Sequence, residues 1–223
     1  MHLADVGPRA ALRLLRRRLD PGALPGLRYA AVLAAAPLND RLLTAPRPGR
    51  VALVAFWEDD AALDRFLADH PLARRLAGGW HSRLAPTRAS GAWSELPELA
   101  EVDEPMDDDE PAGVITLGRL RGLRLVPFVR ANQPASSLAI RNPALLATTG
   151  LARPPRLVAT FSLWRTVSEM RDYAYGRAGG GHLAAIQAHR ARPFHHESAF
   201  IRFRPYASAG AWDGRDPLGE QPA

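Results

Sequence analysis

Residues 161–175 read FSLWRTVSEMRDYAY, a strand-forming run that ends at Leu163-Trp164 and passes at once into an amphipathic helical pattern. A looser version, AFWEDDAALDRFL, stands at residues 55–67. Setting Trp57 against Trp164 aligns Leu63 with Met170, six residues on, and Phe66 with Tyr173, nine residues on. These offsets put large apolar groups on the helix face that turns back over a sheet. The passage from strand to helix reads as one structural unit used twice.

Outward from it, the second half orders as strand Val114–Leu120, a helix within Leu123–Ile140 limited by Pro127 and Pro134, and strands Pro143–Gly150 and Arg156–Trp164. Arg153-Pro154-Pro155 forms part of the turn between the last two. A helix over Thr166–Arg190, interrupted at Gly179-Gly180-Gly181, leads to a closing strand Phe194–Pro205. In that strand Phe200, Arg202 and Arg204 alternate with Ile201 and Phe203. The first half reads as helix Ala10–Leu19, strands Leu27–Ala35 and Val51–Trp57, helix Asp60–Leu76 and a poorer strand Arg83–Trp93. Its opening strand would have to come from MHLADV. The expected fold class is α+β: two ferredoxin-like β-α-β-β-α-β repeats forming an α+β barrel, the first strand of the first repeat short or missing. The expected pocket lies between sheet and helices.

Between the halves, LPELAEVDEPMDDDEPA (residues 96–112) holds eight of the 23 acidic residues and three prolines, the composition of a solvated linker. The expected divisions are a first repeat over 1–97, an acidic linker over 98–112, a second repeat over 113–206 and a tail over 207–223.

Composition narrows the function classes. With no cysteine, the chain has no disulfide, zinc–thiolate, iron–sulfur or thiolate–haem site. The formal charge is +6, but all 29 basic residues are Arg and only RLLRRR (residues 13–18) is dense. No nucleic-acid-binding motif accompanies them, so no nucleic-acid partner is expected. No apolar run reaches membrane-spanning length, and the basic N-terminus lacks the apolar core of a secretory signal. A peripheral amphipathic contact of that basic helix with a membrane stays open. A cytoplasmic location is expected.

Four of the seven histidines, His182, His189, His195 and His196, lie in the second half. His182 and His189 are seven apart, too far for an i, i+4 metal pair, and His195 and Glu197 share one strand face. A neutral imidazole facing an apolar, aromatic pocket is the usual proximal ligand of haem iron, which His182 beside Tyr173, Tyr175 and Phe161 could supply. An exposed or structurally satisfied His182 is the competing reading. GRAGGGH (residues 176–182) lacks the Lys-Ser/Thr of a phosphate loop.

The segments FSLWRTVSEMRDYAYGR, HLAAIQAHR and FHHESAFIRF resemble the C-terminal half of the spheroidene monooxygenase family. The matching positions are Leu163, Trp164, Met170, Tyr173, Ala174, Tyr175, Arg177, His182, Ile186, Arg190, Glu197, Phe200, Arg202 and Phe203. PGLRY (residues 25–29) and RLAPTRASGAWS (residues 83–94) match the family's first half more loosely. The chain departs from the pattern at Phe194, where the family has Trp, and in extra glycines before His182. The resemblance implies a dimeric α+β barrel fold and a haem-dependent oxygenation of an apolar substrate such as a carotenoid. It makes His182 the metal ligand, with Arg171, Arg177 and Arg190 as propionate partners and Trp164 and Tyr175 as pocket wall. A monomer or homodimer is expected. The alternatives are a haem-dependent dehydratase or cofactor-free monooxygenase of this architecture, or a non-catalytic ligand-binding barrel.

Overall fold

The computed structural model describes residues 1–38, 47–122, 136–176 and 195–219. Eight strands are present: β1 His2–Asp5, β2 Leu27–Ala36, β3 Arg50–Trp57, β4 Trp80–Ala92, β5 Ala112–Leu120, β6 Leu145–Arg153, β7 Leu157–Trp164 and β8 His195–Ala209. Among the described residues they are accompanied by the α-helices α1 Pro8–Arg16, α2 Asp60–Asp69, α3 Pro71–Leu76 and α4 Val167–Tyr175. Hydrogen-bonded neighbours follow the order β1-β3-β2-β6-β7-β5-β8-β4, closing as an eight-stranded barrel. Each half therefore runs fourth, first, third, second: β4-β1-β3-β2, then β8-β5-β7-β6.

The chain divides into two units, residues 1–35, 46–84 and 206–223 in one and residues 36–45 and 85–205 in the other. In the first, β1 is short but present. His2–Asp5 pairs antiparallel with Arg50–Leu53 of β3, and His2 and Leu3 pair with His81 and Trp80 of β4. Four residues carry too little periodicity to identify a strand; pairing on both sides does so. The outward face of this sheet buries Ala4, Val32, Val51 and Leu53 against Ala11 and Leu14 of α1, Phe66 of α2 and Leu72, Ala73 and Leu76 of α3.

The single helix expected over Asp60–Leu76 is two helices. Pro71 has no N–H to continue the ladder. His70 ends α2 through its N–H to the Phe66 carbonyl and opens α3 by accepting from the Leu72 N–H at Nδ1, 3.2 Å away.

In the second unit β5 pairs antiparallel with β7 and β8, and β6 with β7. Met106, Ala112, Val114, Ala139, Ala144, Trp164, Val167 and Met170 form its buried cluster. The helix expected within Leu123–Ile140 falls partly outside the described residues; residues 136–140 are helical.

Seven of the eight acidic residues of the stretch are exposed, and it is anchored at a few points between them. Leu99 and Met106 are buried, and the Glu104 N–H donates to the Thr87 carbonyl. Arg204 donates to both carboxylate oxygens of Glu110. Two of the Arg partners come from far along the chain, Arg204 94 residues from Glu110 and Arg171 63 residues from Asp108.

Candidate functional site

Trp164 closes β7 with its side chain buried, its indole N–H donating to Ser162 Oγ at 2.9 Å and its ring stacked on Tyr173 at 4.8 Å. Thr166 then caps α4, its hydroxyl accepting from the Glu169 N–H at 3.1 Å. Val167, Met170 and Ala174 are the buried face of α4. Burial pushes the Tyr173 phenol up to about 12. Flanking that face, Arg171 is paired with Asp108, and Tyr175 is 70% exposed. Of the expected site residues, Trp164 is thus core, whereas Arg171 and Tyr175 sit at the surface. His182, Arg177 and Arg190 lie outside the described residues, as do His189 and Phe194.

The closing strand β8 holds the other motif positions. Glu197 accepts from Arg119 Nε at 2.8 Å and from the Ser94 N–H at 2.9 Å. Burial alone would raise its pKa, but those two donors hold the carboxyl below its ordinary value. Arg119 also lies over the Trp93 ring, 4.9 Å from its centroid. His195 packs across Gly118, where a Cβ would come within 2.5 Å of Nε2. Among the described residues no group of three His, Asp or Glu is placed to hold a metal ion.

Alternation along β8 puts Ile201 and Phe203 on one face and Phe200 and Arg202 on the other. Phe200 packs on the cluster beneath α4. Arg202, two residues on and opposite Val114, is the buried Arg among the described residues, 6% exposed. Its Nε donates to Thr87 Oγ1 at 3.2 Å, and Thr87 Oγ1 lies 3.2 Å from Met106 Sδ. No described carboxylate lies within ion-pair distance of it. Burial, then the like charges of Arg171 and Arg88, lower its pKa, while Asp103 and Tyr175 oppose them. The result is a guanidinium in a low-dielectric setting flanked by two more, Arg88 itself standing 4.0 Å from Asp103. Sequence reading named Arg202 only as a motif position. Its strand alternation was visible, but Thr87, 115 residues away, was not.

Comparison with known proteins decides the family. Spheroidene monooxygenase of Rubrivivax gelatinosus is 30% identical over 222 residues, covering 96% of this chain and 84% of that protein. The chain belongs to the spheroidene monooxygenase family. The family member from Cereibacter sphaeroides is 31% identical over 175 residues, and the match spans 76% of this chain but about half, 53%, of that protein. A third, from Rhodobacter capsulatus, is 28% identical over 240 residues, covering 96% of this chain and 97% of that protein. No family model matches the chain. Among solved structures, an anthrone oxidase-like protein is 11% identical with a TM-score of 0.36, covering 95% of this chain and 85% of that one. A monooxygenase-like protein of Listeria innocua is 12% identical with a TM-score of 0.31, covering 92% and 94%. No helix among the described residues is long and apolar enough to cross a membrane.

Proposed function

We propose that this chain is a haem-dependent monooxygenase-like enzyme that oxygenates an apolar organic substrate, a carotenoid being the class suggested by its relatives' name. The observation that carries the reading is family membership across 96% of the chain, a span that includes the second-half motif. Haem would supply the activation of dioxygen, with two electrons from an external donor. His182 would hold its iron, and Arg171, Arg177 and Arg190 would hold its carboxylates, with Trp164 and Tyr175 in supporting roles. The described residues fit such a group in one respect. Arg202 is buried with no described carboxylate within ion-pair distance. The chain would act in the cytoplasm, at most peripherally attached to a membrane, as a monomer or homodimer.

We further propose that the two halves are copies of one ferredoxin-like unit. Support comes from the repeated strand permutation and from a shared internal contact. Trp57 packs on Phe66 at 5.0 Å, and Trp164 packs on Tyr173 at 4.8 Å, each pair nine residues apart.

The test is reconstitution. Protein mixed with hemin should show a Soret band that His182→Ala loses. With a reductant, oxygen and an acyclic carotenoid, the product should gain one oxygen atom. Turnover without oxygen would instead indicate dehydratase-type chemistry, and absence of hemin uptake by the wild type would reject the haem reading.

A further inference from the structure

Arg202 differs from the other partly buried Arg side chains in what it holds. Arg50, Arg83, Arg119 and Arg204 each hold at least one carboxylate. Arg202 is more buried than any of them, and its one side-chain acceptor is a hydroxyl, Thr87 Oγ1. A desolvated cation without a counter-charge is costly, and the usual resolution is an anion that comes to it.

Within the chain, Asp103 acts on Arg202 from beyond ion-pair distance and itself stands 4.0 Å from Arg88. Residues 123–135 and 177–194, the two longest stretches outside the described residues, contain no Asp or Glu at all. They add Arg124, Arg130, Arg177, Arg190 and Arg192 instead. Of the 23 acidic residues only Asp40 and Glu220 lie outside the described residues. The surroundings also have a second character. Met106 touches the same Thr87 hydroxyl, and Tyr175 leaves 70% of its surface open. A ligand suited to both is an anion carried on an apolar body.

We propose that Arg202, oriented by Thr87 and supported by Arg171 and Arg88, is the binding centre for the carboxylate of an amphiphilic ligand. Planar, bidentate recognition of a carboxylate is what a guanidinium held at Nε leaves available on its two terminal nitrogens. Two sources share this chemistry: a propionate of haem and a free long-chain carboxylic acid. The first rests on the proposed haem function; the second does not.

Wild type, Arg202→Gln, Arg202→Lys and Thr87→Val are each checked for folding by circular dichroism. They are then titrated with hemin and hemin dimethyl ester by absorbance, and with decanoate and decanol by thermal shift. If haem is the source, wild type binds hemin at least tenfold tighter than the ester. Arg202→Gln then loses that tenfold while its affinity for the ester stays the same. If wild type takes up no hemin but is stabilised by decanoate and not decanol, and Arg202→Gln is not, the carboxylate site stands and the haem reading falls. Arg202→Lys, which keeps charge but not the fork, should recover only part of either effect. The proposal is overturned if Arg202→Gln binds every carboxylate as wild type does, or if wild type prefers neither carboxylate over its neutral counterpart. Should Arg202→Gln fail to fold, Thr87→Val decides: a severalfold loss for the carboxylate supports the site, and no change overturns it.

Discussion

Glu197 and Arg202 stand five residues apart on β8 and have opposite surroundings. Among the described residues Glu197 has Arg119 and a backbone N–H, whereas Arg202 has only a hydroxyl. Removing a partner from the first should cost stability, and removing the second should not. Arg119→Met is expected to destabilise the protein by about 1–3 kcal/mol in denaturant titration, because Glu197 keeps its burial and loses its donor. Arg202→Met, in ligand-free protein, should melt at or above wild type, since an uncompensated buried charge is replaced by an apolar side chain of similar length. Histidine supplies a pH signature. Burial first, then the α-amino group and the His81 ring 5.3 Å away, push His2 down to about 3. The unfolded chain therefore binds the proton first as pH falls. The stabilising contribution is complete above the ordinary histidine value near 6.5 and is lost progressively toward pH 3. His2→Gln should flatten stability against pH between about 6.5 and 4, measured by denaturant midpoints. Paired carboxylates such as Asp213, held low by its hydrogen bond from Arg50, lose their contribution only at lower pH.

At the scale of elements, the two Trp-to-helix passages agree in detail that the sequence only partly displayed. Asp59 and Thr166 both cap at the second residue after the Trp, through side-chain oxygens 2.7 and 3.1 Å from the N–H three residues on. Asp59→Ala and Thr166→Ala should each cost about 1 kcal/mol of stability by chemical denaturation. A double-mutant cycle on Trp57 and Phe66, and another on Trp164 and Tyr173, should give similar couplings of about 0.5–1.5 kcal/mol. Unequal couplings, one near zero, would weaken the case for duplication. The Trp and aromatic offsets were legible because helix and strand periods are local. The caps were not singled out, because Asp-Asp and Arg-Thr are ordinary dipeptides until a helix start is fixed. Nor was the break at His70-Pro71 seen, since the helical spacing of Leu63, Phe66, Ala73 and Leu76 runs through it. The segment holding His182 is where the family motif is most specific in sequence, and it lies outside the described residues.

For the whole molecule, periodicity identified every strand of the closed order except β1, whose partners on β3 and β4 are about fifty and eighty residues away. What periodicity could not show is which distant groups meet, hence the unseen Arg204–Glu110 and Thr87–Arg202 pairs. The residues after 205 follow the same rule. Trp80, fully buried, donates its indole N–H to both Ser208 Oγ and Asp216 Oδ1 at 3.0 Å, and its ring lies 5.2 Å from Trp212. Trp212→Ala should cost about 3–5 kcal/mol, read as a lowered denaturant midpoint. The first unit is therefore assembled from three separated stretches, residues 1–35, 46–84 and 206–223. Synthesis proceeds from the N-terminus, so a ribosome that has made residues 1–97 holds a unit whose central Trp80 still lacks its acceptors. The unit with the earliest residues finishes last. A nascent chain arrested before residue 206 should be sensitive to protease within residues 47–84, and release of the final segment should remove that sensitivity.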